Sequence, residues 1–247
     1  DARGDRDVSG GVHCRADGSS MKRTVAAGAS ALLLLVTLAC GQQTWDAAMQ
    51  AGETALQRGQ YEQAEKIFSA AVHKAEQFGL HDRRVAVTLA HLAQAYSAQG
   101  KFVEAEPVYL EALKIYQDVH GETHLDVAAM LNNLGVLHRK HGQYADAQRL
   151  LTRALSIKEK LLGTDHPEVA LALSNLAAMY LAQGDGEQAG ALFARALAVR
   201  EKQLGADHPD VAKNLEDYAS ALRKLGRVGE AEGLERRAGA IRAKPKS

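Results

Sequence analysis

The chain has few cysteines, no excess of charge and no hydrophobic run long enough to cross a membrane as a helix. Its two cysteines, Cys14 and Cys40, cannot form the disulfide framework typical of small secreted domains. Lysine plus arginine and aspartate plus glutamate both total 30, so no overall field attracts nucleic acid. The apolar stretch at residues 25–39 has 15 residues, whereas a membrane-spanning helix needs about 20.

The motifs of the common enzyme classes are also missing. No HExxH, P-loop, GxSxG or paired-cysteine pattern occurs in the sequence. The repeats described below occupy almost all of the chain after residue 43, which leaves no room for an attached catalytic domain. We therefore predict that the protein is not an enzyme and takes no cofactor and no small-molecule substrate.

An amino-terminal targeting signal is the first feature that the sequence does contain. After Met21, the basic pair Lys22 and Arg23 precedes the apolar stretch. A basic segment followed by a short apolar one has the dimensions of a secretory signal. The stretch ends in the small Ala39 followed by Cys40, and this ending resembles a bacterial lipoprotein signal, in which the cysteine is acylated and becomes the first residue.

The resemblance to a lipoprotein implies a lipid anchor at Cys40. Two or three acyl chains, at about 0.8 kcal/mol per buried CH₂, hold a protein stably on a membrane. Gly41 in place of aspartate is similar to lipoproteins released to the outer membrane, so we expect an outer-membrane lipoprotein that faces the periplasm. Residues 21–39 are then the signal peptide, and residues 1–20 an upstream stretch that is non-native or disordered. An ordinary signal peptide or a buried helix is the alternative interpretation.

A period of about 42 residues runs through the rest of the chain. Glycines that separate two helical patterns recur at steps of 41, 42, 42 and 42 residues, and alanines follow at fixed distances after each. A fixed period of this size predicts stacked helix pairs that bury their apolar faces against their neighbours. The residues of the three rows are Gly59, Gly100, Gly142, Gly184 and Gly226; Ala64, Ala105, Ala147, Ala189 and Ala231; and Ala71, Ala112, Ala154, Ala196 and Ala238.

A second motif joins consecutive repeats. It reads Gly-Thr-Asp-His-Pro-Glu-Val-Ala at residues 163–170 and Gly-Ala-Asp-His-Pro-Asp-Val-Ala at residues 205–212. We predict that Asp165 and Asp207 are N-caps of the following helices, with proline in the first turn, where its missing N–H costs little.

These elements resemble tetratricopeptide repeats, in the lengthened 42-residue form found in kinesin light chains. The resemblance covers residues 44–241 and implies an all-α, right-handed α-solenoid of about five helix pairs. The expected units are approximately 44–78, 83–120, 125–162, 167–204 and 209–241, followed by a basic tail at 242–247. Members of this family carry out unrelated tasks, so the fold by itself does not name a function.

Histidines in the repeats invite a metal hypothesis, which we do not favour. His138, His141 and Asp146 form the nearest approach to a ligand set, but His138 occupies a row that holds tyrosine in other repeats and is expected to pack there. Three other histidines recur at 42-residue steps in the motif between repeats, so we attribute them to the turn: His124, His166 and His208.

The face of each first helix that points away from the partner helices is the candidate binding surface. Stacking places Asn133 and Asn175 in one row, between His91 and Asp217. Asparagine offers a donor and an acceptor and suits the backbone of an extended peptide, whereas arginine and lysine suit acidic side chains or a terminal carboxylate. The alternative is that these amides bond neighbouring helices or water. The predicted peptide-binding residues are His91, Asn132, Asn133, Arg139, Lys140, Asn175, Asp217 and Arg223.

The function that these features favour is a protein-interaction scaffold that is lipid-anchored in the bacterial envelope and binds protein or peptide partners in its concave face. Two narrower roles stay open: an assembly factor of the pilotin or outer-membrane assembly kind, and an adaptor for peptidoglycan enzymes. A periplasmic enzyme is the alternative from a different class.

Overall fold

A computed structural model of the chain describes residues 42–244. The predicted signal peptide at 21–39, the stretch at 1–20 and the predicted lipidation site Cys40 therefore lie outside the described residues. The chain divides into two units at Asp46. Of the smaller unit, residues 42–46 are described; they are helical, and Gln42 Nε2 donates to Asp46 Oδ1 at 2.8 Å.

The larger unit is built from helices, and its described residues contain no strand. The first helix, α1, covers residues 47–57. The others are α2 (Tyr61–Glu76), α3 (Arg83–Ala98), α4 (Phe102–His120), α5 (Leu125–Lys140), α6 (Tyr144–Leu162), α7 (Pro167–Gln183), α8 (Gly186–Leu204), α9 (Pro209–Lys224) and α10 (Val228–Arg242). These helices confirm the predicted all-α solenoid of about five helix pairs.

Contacts between the helices follow the chain order. From α2 onward each helix packs on the next, and α3, α5, α7 and α9 also contact one another in sequence. Within the described residues the even-numbered helices make no such contacts with one another. The odd-numbered helices therefore lie closer together and form the inner, concave row of this unit.

The repeated small residues explain how the helices of a pair approach each other. The ten alanines of the two predicted rows are at most 1% exposed, and the five glycines between the helices have positive φ angles, from 72° to 100°. At Gly135 of α5, a Cβ would lie 2.6 Å from Leu151 Cγ of α6. A larger residue at this position would push the two helices apart.

The helix caps between repeats differ from the prediction. The N-caps of α7 and α9 are His166 and His208, not Asp165 and Asp207: each histidine Nδ1 accepts the backbone N–H two residues later, at 3.2 Å. His124 caps α5 in the same way. The aspartates lie one residue too early to reach these N–H groups and instead form exposed ion pairs with Lys202 and Lys244. The three histidines therefore recur at 42-residue steps because each caps the helix that follows the turn between two repeats.

Candidate functional site

Two cavities open along the inner row of helices. The amino-terminal cavity, about 620 Å³, is lined mainly by α3 and α5, and the carboxy-terminal cavity, about 670 Å³, by α7, α8 and α9. Asn175 of α7 lines both cavities, so they are neighbouring sections of one groove.

The groove brings together six of the eight residues that the sequence singled out. Asn132, Asn133 and Lys140 line the amino-terminal cavity, Arg139 and Asp217 line the carboxy-terminal one, and Asn175 belongs to both. His91 and Arg223 line neither cavity.

The asparagines of α5 and α7 form a short hydrogen-bonded network. Asn175 Nδ2 donates to Asn132 Oδ1 at 2.8 Å, and Asn132 Nδ2 donates to Asn133 Oδ1 at 3.5 Å. Asn132 is 9% exposed and links two repeats, whereas Asn133 and Asn175 are partly exposed. Within residues 42–244 no hydrogen bond occupies Asn133 Nδ2 or Asn175 Oδ1. One donor and one acceptor are therefore left facing the groove.

His91 is held on the inner row by packing. Its ring stacks on Phe68, with ring centroids 5.2 Å apart, and its Nε2 lies 3.5 Å from Glu53 Oε1. Burial lowers the pKa of His91, although the Glu53 carboxylate acts in the opposite direction. The imidazole is therefore neutral at pH 7.

Arg223 is engaged within the chain. Its Nε and Nη2 donate to the two carboxylate oxygens of Glu235 on α10, at 2.8 and 2.7 Å. Because this bidentate pair uses the donors that a ligand carboxylate needs, Arg223 is not an open cation of the groove. Lys140, by contrast, is exposed and has no ion pair with any described residue.

Arg200 and Asn214 are among the polar residues of the carboxy-terminal cavity that sequence reasoning missed. Asn214 is 1% exposed, and neither its Nδ2 nor its Oδ1 has a hydrogen-bond partner among the described residues. At the same position of earlier repeats stand Thr88, Met130 and Ala172, all buried. An amide in a row of buried residues was a signal that aligning the repeats would have shown.

One histidine cluster has the proximity that a metal site requires. The Asp126 carboxylate lies 3.5 Å from both His120 Nε2 and His124 Nδ1. The same His124 Nδ1 accepts the backbone N–H of Asp126 as a helix cap, and Arg83 Nε lies 3.5 Å from the carboxylate. A cation would have to displace both, so we assign no ion to this cluster.

His138 packs as predicted. It is 9% exposed, and its Nδ1 is hydrogen-bonded to Gln143 Oε1.

None of the described helices is both long and apolar enough to traverse a bilayer.

Comparison with known proteins agrees with this architecture. The profile described as tetratricopeptide repeat matches residues 44–118, 84–160, 126–189 and 168–244. No curated protein matches the chain.

Three solved structures illustrate the similarity of fold. BtubC (BKLC) from P. vanneervenii is 24% identical, with a TM-score of 0.73 over 93% of this chain and 92% of that one. A kinesin light chain-like protein of Podospora anserina with nearly identical repeats is 24% identical, with a TM-score of 0.67 over 80% and 94%. A Rap protein complexed with Competence and Sporulation Factor is 17% identical, with a TM-score of 0.64 over 77% and 52%.

Proposed function

The chain belongs to the tetratricopeptide repeat family, and from this premise we propose that it is a protein-interaction scaffold that binds an extended peptide segment in the groove along α3, α5, α7 and α9. The observation that carries the proposal is the unoccupied donor and acceptor pair formed by Asn133 Nδ2 and Asn175 Oδ1. A peptide unit offers the complementary acceptor and donor, whatever its side chain.

The amino-terminal cavity supplies further support for a peptide ligand. Lys140 lines this cavity, is exposed and matches an acidic group, and Val136 and Tyr109 line the same cavity. Burial raises the pKa of Tyr109, so the phenol stays neutral and keeps its proton. The Rap protein named above is solved with a bound factor, which agrees with ligand binding by this fold.

Arrayed decapeptides of randomised sequence test this proposal with the full chain purified in mild detergent. The double variant Asn133→Ala/Asn175→Ala removes the two groove amides. Each lost hydrogen bond is worth about 0.5–1.5 kcal/mol, so capture is expected to weaken about fivefold to a hundredfold.

The double variant Gln188→Ala/Gln203→Ala is the matched control, because it removes two amides from the exposed surface of α8. Thermal unfolding of both double variants monitors the fold. Equal capture by the two double variants would exclude the asparagine pair as the peptide contact.

We further propose that the scaffold is anchored to the bacterial envelope by acylation of Cys40, with the repeats in the periplasm. The support is the sequence itself: a basic pair, 15 apolar residues and Ala39 before the cysteine. Cys40→Ser is expected to abolish fatty-acid labelling and membrane association. Cys14→Ser is the control and is expected to change neither. Labelling that survives Cys40→Ser would contradict the anchor.

The narrower roles remain hypotheses about the partner. An assembly factor of the pilotin kind would be recovered by crosslinking with an outer-membrane assembly subunit, and an adaptor with a peptidoglycan enzyme. A periplasmic enzyme would require turnover of an envelope substrate by the purified chain.

A further inference from the structure

Arg200 of α8 is a partly buried cation without a carboxylate partner. Its Nη1 donates to Ser174 Oγ at 2.8 Å, and no carboxylate of the described residues comes within ion-pair distance. Burial lowers the pKa of Arg200, with Asp210 and Asp217 acting in the opposite direction from further away. A guanidinium stays charged in proteins. The cavity wall therefore carries a positive charge with several donors unused.

The preceding repeat has a basic residue at the equivalent position, and there it is paired. Lys158 stands 42 residues before Arg200, is 4% exposed and forms a 2.7 Å ion pair with Glu168. The residue 42 positions after Glu168 is Asp210, whose side chain is one methylene shorter, and no ion pair forms with Arg200. The lysine is thus neutralised by a carboxylate of the following helix, whereas the arginine is not.

Two further polar groups of the same cavity have no partner. Asn214 has both amide atoms buried and unbonded, and Arg139 Nε is also buried without an acceptor in the described part of the chain. More than nine in ten buried polar groups in proteins are hydrogen-bonded. A ligand that enters this open cavity would supply the missing partners.

Two arginines and one carboxylate of this cavity have no ion pair among residues 42–244. Glu168 pairs with Lys158 at 2.7 Å and Asp217 with Lys213 at 3.5 Å. Asp210 lies near His208, but His208 Nδ1 accepts the backbone N–H of Asp210 and gives the carboxylate no counter-charge. Arg139 and Arg200 together exceed the charge of Asp210 by one, so the remaining charge of these groups is positive and matches an anionic group.

An apolar wall stands beside these cations. Leu171, Leu181 and Phe193 line the cavity, and Leu171 is 44% exposed. Inorganic phosphate or another small anion would leave this apolar surface uncovered. An acidic peptide with a neighbouring apolar side chain would contact both the arginines and the apolar wall.

Building on the peptide-binding function proposed above, we propose that the carboxy-terminal cavity is the specificity subsite of the groove, which recognises a peptide carboxylate next to an apolar side chain. Arg200 binds the carboxylate, Asn214 pairs with the peptide backbone, and Leu171 contacts the apolar side chain.

Three matched sets of arrayed decapeptides test the subsite with the full chain in mild detergent. One set carries a central Glu-Leu pair, the second a central Gln-Leu pair, and the third carries no acidic side chain and ends in leucine with a free carboxylate. The wild type is expected to prefer the first or the third set to the second. That choice distinguishes an acidic side chain from a chain terminus.

Three variants locate the effect. Arg200→Gln is expected to weaken binding of the preferred set about tenfold to a hundredfold, the range for a hydrogen bond to a charged group, and to leave the Gln-Leu set unchanged. Asp210→Glu keeps the net charge but offers Arg200 the longer carboxylate that Lys158 has, so it is expected to weaken the same set. Asn214→Leu is expected to weaken all sets.

Arg195→Gln is the control, because Arg195 is an exposed arginine of the same helix that pairs with Glu159. Equal binding of the three sets by the wild type, or equal loss in Arg195→Gln and Arg200→Gln, would overturn the subsite and leave the groove function intact. Capture of no peptide at all would contradict both proposals. Loss of anionic-vesicle binding in Arg200→Gln, with peptide binding unchanged, would assign the cavity to lipid and also overturn the subsite.

Discussion

Asn132 in the amino-terminal cavity and Asn214 in the carboxy-terminal cavity are both buried amides, but they differ in their partners. Asn132 is bonded to Asn175 and Asn133, whereas Asn214 has no partner in the described part of the chain. A buried polar group without a partner lowers stability by about 1–3 kcal/mol. One section of the groove thus uses its amide to join two repeats, and the other keeps an amide that the fold alone does not need.

Two basic residues at equivalent positions of consecutive repeats show the same contrast. Lys158 meets Glu168, and Arg200, one repeat later, does not meet Asp210. The difference teaches that one or two side chains decide whether the basic residue of a repeat has an ion pair, because both repeats are built from the same kind of helix pair.

The largest expected effect comes from replacing each of the two asparagines, Asn132 and Asn214, with leucine. Asn132→Leu leaves Asn175 Nδ2 without its acceptor and is expected to destabilise the fold by about 1–3 kcal/mol. Asn214→Leu removes two unpaired groups and is expected to stabilise it by a similar amount. Urea unfolding of the two variants measures whether each substitution lowers or raises the free energy of unfolding. Loss of stability in both would mean that Asn214 is paired in solution.

A second difference, between the partly buried cation Arg200 of α8 and the histidine His91 of α3, is their response to pH. Burial lowers the pKa of His91 in the folded chain, so between that pKa and about 6.5 the unfolded chain binds more protons. Stability contributed by neutral His91 is therefore present above about pH 6.5 and is lost as the pH falls towards the folded pKa.

Urea unfolding at pH 7.5, 6.5 and 5.5 compares the wild type with His91→Gln. The free energy of unfolding of the wild type is expected to fall more steeply with acid, by at most about 1.4 kcal/mol per pH unit, the slope for one proton. Arg200→Gln is the control, because arginine does not titrate in this range. Parallel curves for the wild type and His91→Gln would show that the histidine is not desolvated.

The smallest expected effect concerns α7, the helix that the two cavities share. His166→Ala removes the N-cap acceptor and is expected to cost about 0.5–1 kcal/mol, the lower part of the range for caps. Asp165→Ala removes an exposed ion pair with Lys202 and is expected to cost less. Thermal unfolding ranks the two. A larger loss of stability in Asp165→Ala than in His166→Ala would indicate that Asp165 is the N-cap of α7.

Prediction from sequence succeeded where one row of residues repeats. The alanines at 42-residue steps had to be buried between helices, since their spacing is constant and their side chains are small. It failed at the caps, because the motif contains two neighbouring polar residues, Asp165 and His166, and their order along the chain does not show which one reaches the N–H of Glu168.

The candidate site was predictable to a similar degree. The inner row of asparagines followed from the register, since each repeat presents the same face to the groove. The ion pair of Arg223 was not foreseen, because its partner Glu235 lies on the next helix, at a spacing that the repeat pattern does not encode. Whether a side chain is paired depends on a few ångströms across a helix interface.

By itself the sequence determined the family, the helix pairs and the face that forms the groove, since a 42-residue period leaves one way to bury the small residues of every repeat. Only the tertiary structure decided which polar groups of that face are already satisfied. The physical reason is reach: a few ångströms across a helix interface decide whether a carboxylate meets the basic residue opposite, as Glu168 meets Lys158 and Asp210 does not meet Arg200.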